Sequence, residues 1–204
     1  MSIITTVMGD RLLEGHVHPV YHGRWRDESG SSSLHRSGPV DYTDRMTEQP
    51  RFLADAMLAR LARWLRVLNF DTRHDPSIHD PELVQMADRE DRWLLTRDRA
   101  LVKELRPSKA VLITRDDPLR QLTEVVEQCE LDKPERLFLR CLVCNTPLRE
   151  ATDREIRDRL PPSAENYPDT RLYCPHCQRL YWPGSHTQRM TRTLARALPD
   201  WFDR

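Results

Sequence analysis

Lysine is nearly missing from this chain. Of its 32 basic residues, only Lys103, Lys109 and Lys133 are lysine, and the rest are arginine. Guanidinium forks match phosphate geometry, so the bias suits phosphate contacts as well as it suits an arginine-favouring codon usage. Net charge is missing too. The 32 acidic residues balance the basic ones and the pI is near 7.1, which excludes a global basic field as the basis of nucleic-acid binding. No apolar run approaches membrane-spanning length, and the N-terminus has no signal-peptide core, so no membrane association and a cytoplasmic location are expected. Cysteine is scarce but ordered. Four of the five lie in two Cys-x-x-Cys pairs, a pattern of metal ligands rather than of a disulfide framework. A length of 204 residues, 38% of them hydrophobic and 31% charged, fits one domain or one domain with a small appendage.

Residues 1–50 are poor in aliphatic periodicity and carry GRWRDESGSSSLHRSGP. Such a composition buries too little apolar area to offset the entropy of ordering, so a mostly disordered tail is expected. His16, His18, His22 and His35 read as solvated tail residues, and Met46 is a candidate translation start just before the organised part.

Organisation begins at RFLADAMLARLARWLRVL, Arg51 to Leu68. An apolar triplet of strand type is followed by Asp55 and then by an amphipathic helix. Met57, Leu58, Leu61, Trp64, Leu65 and Leu68 form its apolar face, and Arg60, Arg63 and Arg66 recur on another side. A second short strand is expected over Phe70 to Arg73, and a helix from Asp80 or Pro81 through Leu83, Val84, Met86 and Ala87. Trp93 to Thr96 and Ala110 to Thr114 read as buried strands. A short helix through Leu101, Val102 and Leu105 separates them, and Pro118 opens a helix that runs to about Cys129. Continuously apolar short strands alternating with helices predict an α/β fold with a small parallel sheet covered on both faces.

Ligands of such sheets gather outside the carboxyl ends of the strands, where this chain places its acids. Asp55 follows the first strand, Asp75 and Asp80 the second, Asp98 the third, and Asp116 and Asp117 the fourth. A single Asp at such a junction is ordinarily a helix cap. Several at one edge repel one another unless cations neutralise them, and oxygen-only carboxylate sets suit Mg²⁺ or Mn²⁺. Cations held so activate water and stabilise the leaving oxygen of a phosphodiester, whereas the bland alternative is a doubly wound domain with capped helices.

Cys141-Leu-Val-Cys144 and Cys174-Pro-His-Cys177 form two knuckles flanked by strand-type residues, the pattern of a closed tetrahedral zinc site that stabilises a fold. The insert between them is longer than in simple ribbons and holds a charged helical stretch, REATDREIRDRL. Cys129 reads as a helix core residue and His176 as exposed. In YWPGSH, Trp182 is a candidate for base stacking or for packing the ribbon onto the body, and His186 for approaching the catalytic edge or capping the last helix, Thr187 to Leu198.

The segments FLADAMLARLARWLRVLNFDT, DPELVQMADREDRWLLTRD, LLTRDRAL, RCLVCNTPL and CPHCQRLYWPGSH together resemble a known family. It is the PIN-like ribonuclease family named after the C-terminal domain of the "mutator seven" exonuclease, which ends in a zinc ribbon. The resemblance covers roughly Arg51 to Met190. It implies a PIN-like nuclease domain over 51–135, a four-cysteine zinc ribbon over 136–186 and a C-terminal helix over 187–204. It also implies hydrolysis of RNA, single-stranded or exposed, by a site that uses Mg²⁺ or Mn²⁺. Asp55 matches the family's first-strand acid and Asp98 the acid of its Thr-Arg-Asp turn, both as metal holders. Asp80 or Glu82 matches the acid at the helix start. Arg99 and Ala100 stand where many PIN nucleases carry another acid, and Asp116 is the candidate substitute. Arg60 and Arg63 are candidate phosphate contacts, with Trp182 and His186 as further RNA contacts. The alternative of a different class is a non-catalytic RNA-binding module of the same fold.

Overall fold

A computed structural model describes residues 49–164 and 170–202. The expected tail, with its histidines and Met46, lies outside the described residues but for its last two positions.

Four parallel strands form the main sheet: β1 (Phe52–Ala54), β2 (Thr72–His74), β3 (Trp93–Thr96) and β4 (Ala110–Leu112), in the order β2-β1-β3-β4. Leu53 sits beside Arg73 on one side and Leu94 on the other, and Leu95 sits beside Val111. Successive strand residues point to opposite faces, so each strand feeds two cores. Phe52, Ala54, Leu95 and Val111 face α1 (Ala59–Val67), α4 (Pro118–Gln128) and α6 (Ser185–Ala197), through Leu61, Leu65, Leu122, Val125, Met190 and Leu194. Leu53 and Leu94 face α2 (Asp80–Arg89) and α3 (Arg99–Leu105), through Leu83, Val84, Ala87 and Leu101. Leu61 and Leu65 are wholly excluded from water, each contributing about 2 kcal/mol of transfer free energy.

Two expectations for the opening helix need correction. Residues Ala56–Leu58 form a 3-10 turn before α1 begins, and the tighter turn rotates Met57 out of the apolar face, leaving it 66% exposed. Arg66 does not join Arg60 and Arg63 in solvent. It is 5% exposed, because its guanidinium reaches the backbone carbonyls of Thr72, Leu142 and Val143. The second strand also begins later than expected. Asn69, in the left-handed region at φ 68°, closes α1, and Phe70 N–H returns to Leu65 O at 2.9 Å, so Phe70 belongs to the turn.

A second, antiparallel sheet of β5 (Arg149–Glu150), β6 (Leu172–Cys174) and β7 (Arg179–Tyr181) carries the second knuckle, with α5 (Asp153–Arg159) inserted after β5. The first knuckle is stitched to the start of β2. Arg66 donates to Thr72 O (2.9 Å), Leu142 O (3.2 Å) and Val143 O (3.0 Å), and Arg140 donates to Asn69 O (3.1 Å). Asn145 accepts from Thr72 N–H (3.0 Å) and donates to Asp71 (2.7 Å), which also takes Arg92 at 2.7 Å. The cysteine knuckle therefore sits at the amino edge of the main sheet, opposite the carboxyl ends of its strands.

Candidate functional site

At the carboxyl edge, Asp55 ends the central strand β1 with extended backbone, and its side chain makes no helix cap. The carboxylate turns instead to the neighbouring central strand, where Thr96 O–H donates to Asp55 Oδ2 at 2.7 Å. Thr96 is fully buried, and its hydroxyl in turn accepts from Asp98 N–H at 3.0 Å. One hydroxyl thus fixes both acids: the first by its proton, the second by its lone pair. Asp98 Oδ1 accepts from Ala100 N–H (2.7 Å) and Leu101 N–H (3.1 Å), a full N-cap of α3. Both cap bonds fall on Oδ1, which leaves Oδ2 of this exposed residue outside the cap.

The remaining candidates follow the strand ends or open the next helices. Asp80 and Glu82 are exposed in the first turn of α2, and His79 is its N-cap. Asp75 is spent on its own turn, accepting from Ser77 N–H (3.0 Å) and Ser77 O–H (2.6 Å). His74 Nε2 lies 3.0 Å from Ala56 O and ties the end of β2 to the turn after Asp55. Asp116 is 88% exposed and forms an ion pair with Arg97, the residue between Thr96 and Asp98. Asp117 caps α4. Glu124 accepts from Thr114 N–H and O–H, and Gln121 donates to Arg115 O at 2.9 Å, so the loop bearing Asp116 is fastened to α4. Among the described residues these acids do not close into a group of three or more ligand atoms; the four cysteines do. Mg²⁺ is typically held by one or two carboxylates together with waters and substrate phosphates, so an open Asp55–Asp98 pair suits it without a protein cage.

Reading the residues in order did not single out Thr96, Glu124 or Gln121. Thr96 was marked only by its place in Leu-Leu-Thr-Arg-Asp, and the other two resemble ordinary helix-surface positions.

Arg60 and Arg63 are exposed on α1. Arg63 Nη2 meets His186 Nε2 at 3.3 Å, which brings the start of α6 against the side of α1. Partial burial, with Arg63 and then Arg189 nearby, lowers the His186 pKa and favours a neutral imidazole. Trp182 is half-buried on the cysteine module, while the hydroxyl of its neighbour Tyr181 lies 3.1 Å from Cys141 Sγ.

The two knuckles are equivalent in detail. Asn145 N–H returns to Cys141 O (2.9 Å) and Gln178 N–H to Cys174 O (2.8 Å), and both Asn145 (φ 70°) and Gln178 (φ 54°) are left-handed. The four Sγ atoms lie within 4.8 Å of one another, with Cys144 and Cys174 at 3.5 Å. A tetrahedral thiolate site with metal–sulfur bonds of about 2.3 Å has sulfur–sulfur edges of roughly 3.8 Å, so the donor set fits zinc. Without a cation the thiols split. Burial opposes ionisation of Cys144, but hydrogen bonds from Thr146 and its fellow thiols hold it down to about 6, whereas burial and Cys144 push Cys177 up. Chelation, or Cys174→Ser, is expected to remove one zinc per chain and to lower the melting temperature by more than about 10 °C. Elemental analysis and calorimetry check this, since structural zinc supplies about 10 kcal/mol or more of folding free energy.

Fold and sites define a class: an α/β parallel-sheet domain with acids along its carboxyl edge and a four-cysteine metal module at its amino edge. The chain belongs to the Mut7-C RNAse domain family, whose sequence model matches residues 50–194. No curated protein and no solved structure matches it. Among the described residues no helix is long and apolar enough to cross a membrane.

Proposed function

We propose that the protein is a metal-dependent ribonuclease of PIN-like fold that hydrolyses phosphodiester bonds of single-stranded RNA at the carboxyl edge of its main sheet. The observation that carries this reading is the Asp55–Thr96–Asp98 chain. The acid ending the central strand leaves its helix uncapped and is instead locked, through one buried hydroxyl, to the acid that follows the adjacent strand. Asp55 and Asp98 would hold Mg²⁺ or Mn²⁺, with Asp80 or Glu82 closing the site from α2. A cation bound there supplies an activated water and neutralises charge on the leaving oxygen. Asp116 serves as an accessory acid, and Arg97 holds it to the same edge. Arg60 and Arg63 draw the phosphate backbone along α1, and His186 orients the Arg63 guanidinium by accepting from it. The cysteine module holds structural zinc and takes no part in bond breaking, because four thiolates leave the metal no open position.

Cleavage of a labelled single-stranded RNA by the zinc-loaded full chain, with Mn²⁺, with Mg²⁺ and with neither, tests the reading. Cleavage should require the added cation and disappear in Asp98→Asn. That variant keeps an oxygen to cap α3, so loss of activity would not be loss of fold. An absence of cleavage with salt-sensitive, cation-indifferent RNA binding retained would instead favour a non-catalytic RNA-binding module.

A further inference from the structure

The insert between the two cysteine pairs is helical with little burial to support it. Helix α5 buries none of its residues. It is held by local polar devices: a reciprocal capping box between Thr152 and Glu155, and the two-point pairing of Arg149 with Glu155 at 2.6 and 2.9 Å. It packs against β7, and its last residue, Arg159, reaches Gln178 Oε1 at 3.3 Å.

Between them lies an open cleft of about 340 Å³, lined by Arg159, Gln178, Arg179, Leu180, Tyr181 and Trp182. That volume is near the lower end of ligand clefts, about 300–1,000 Å³, and has room for one planar ring system with its sugar. No carboxylate lines it, and among the described residues neither guanidinium meets one. Trp182 supplies a flat wall. A Cβ on Gly184 would stand 3.3 Å from the indole Nε1, so the lack of a side chain there lets the ring lie against the backbone. Two guanidiniums, an amide and an indole around one small cleft match the parts of a nucleotide: anion, hydrogen-bonding edge and π-face. From Trp182 the chain runs on to His186, which meets Arg63 on α1, the helix that leads back to Asp55.

We propose that this cleft is a nucleotide subsite for the RNA strand, in which one base stacks on Trp182 and its phosphate is held by Arg159 and Arg179. The ligand's identity as RNA rests on the ribonuclease reading, whereas the cleft's chemistry does not. The long insert then has a purpose: it builds the wall opposite Trp182 that a simple ribbon lacks.

Anisotropy of a labelled twelve-nucleotide single strand, titrated with the full zinc-loaded chain at several salt concentrations and without added Mg²⁺ or Mn²⁺, tests this. Arg159→Ala, at an exposed position, is expected to weaken binding about tenfold and to make the salt slope shallower by about 0.7, the share of one phosphate on a single strand. Trp182→Leu is expected to weaken binding by a similar factor with the salt slope unchanged, because stacking releases no counterions. Zinc content and melting temperature are read alongside. Wild-type affinity and slope in both variants would overturn the subsite. So would displacement of the wild-type strand by millimolar adenosine monophosphate, which would make the ligand a free nucleotide. Cleavage by the wild type with Mn²⁺ is scored separately. A chain that cuts nothing while its variants lose strand binding would keep the subsite and overturn the nuclease reading.

Discussion

Asp55→Asn is expected to slow cation-dependent cleavage of single-stranded RNA by about a thousandfold, while the melting temperature stays within a few degrees of the wild type. The size follows from what the carboxylate would supply. Charge stabilisation through a held cation is worth several kcal/mol, and about 4 kcal/mol of barrier is a thousandfold in rate. The survival of the fold follows from the geometry. Asparagine keeps one carbonyl oxygen, which can still accept from Thr96 O–H as Asp55 Oδ2 does at 2.7 Å. The backbone link from Asp55 N–H to Leu95 O, 2.9 Å, is untouched. Thr96 supplies the control. Thr96→Val removes a fully buried hydroxyl that serves both acids, leaving Asp55 Oδ2 and Asp98 N–H unpaired, at a cost of about 1–3 kcal/mol in stability. Its loss of activity should be smaller than that of Asp55→Asn, since both carboxylates remain, and Thr96→Ser should restore it. If Asp55→Asn cleaves at the wild-type rate, the edge is not the reacting site.

Much of this edge was legible because it depends on local pattern. Three apolar runs and one mixed strand, each followed by an acid, place those acids at one side of any parallel sheet, and Trp93 to Thr96 is a strand as expected. The paired cysteines were equally plain. Met57 misled because a helical wheel assumes one period from the first residue, and the 3-10 turn breaks the phase. The join between sheet and knuckle was hidden for a different reason. Arg66 meets Leu142 and Val143, and Arg140 meets Asn69, across more than seventy residues. Charged residues in loops and at a helix end carry no mark of burial until their distant partners are known. Arg159 was likewise unreadable as part of a cleft, since only the fold of the insert brings it into one cleft with Trp182.

Asp71→Asn is expected to cost the protein about 1.5–3 kcal/mol, more than its place in a loop suggests. Asp71 receives both arms of Arg92, at 2.7 and 3.3 Å, and the Asn145 amide at 2.7 Å. Arg92 and Arg140 are each only 7% exposed, and Arg66, at 5%, lies in the same seam. Removing the carboxylate leaves Glu90, at 2.8 Å from Arg92 Nε, as the one carboxylate on that buried guanidinium, and the loss of charge-assisted hydrogen bonds costs about 1.5–3 kcal/mol. At about 2–4 °C per kcal/mol for a domain of this size, the melting temperature should fall by about 5–10 °C. Acid should expose the same dependence. Burial opposes ionisation of Asp71, but the bonds from Arg92 and Asn145 outweigh it and hold its pKa below the ordinary value. Its contribution is therefore complete above an unfolded pKa of about 3.9 and is lost as pH falls through the depressed native value. Urea denaturation between about pH 5 and pH 3 should show a steeper stability slope in the wild type than in Asp71→Asn, which keeps the shares of Glu90, Asp91 and Glu155, with any loss of zinc common to both. The remaining positive charge of the seam has a partner of another kind. Arg66 donates to the carbonyls between Cys141 and Cys144, and four thiolates around a divalent cation leave a net negative centre. Asp71 and a metal held by the four cysteines would therefore neutralise the same group of buried arginines from two sides, which ties the knuckle to the stability of the sheet that carries Asp55 and Asp98.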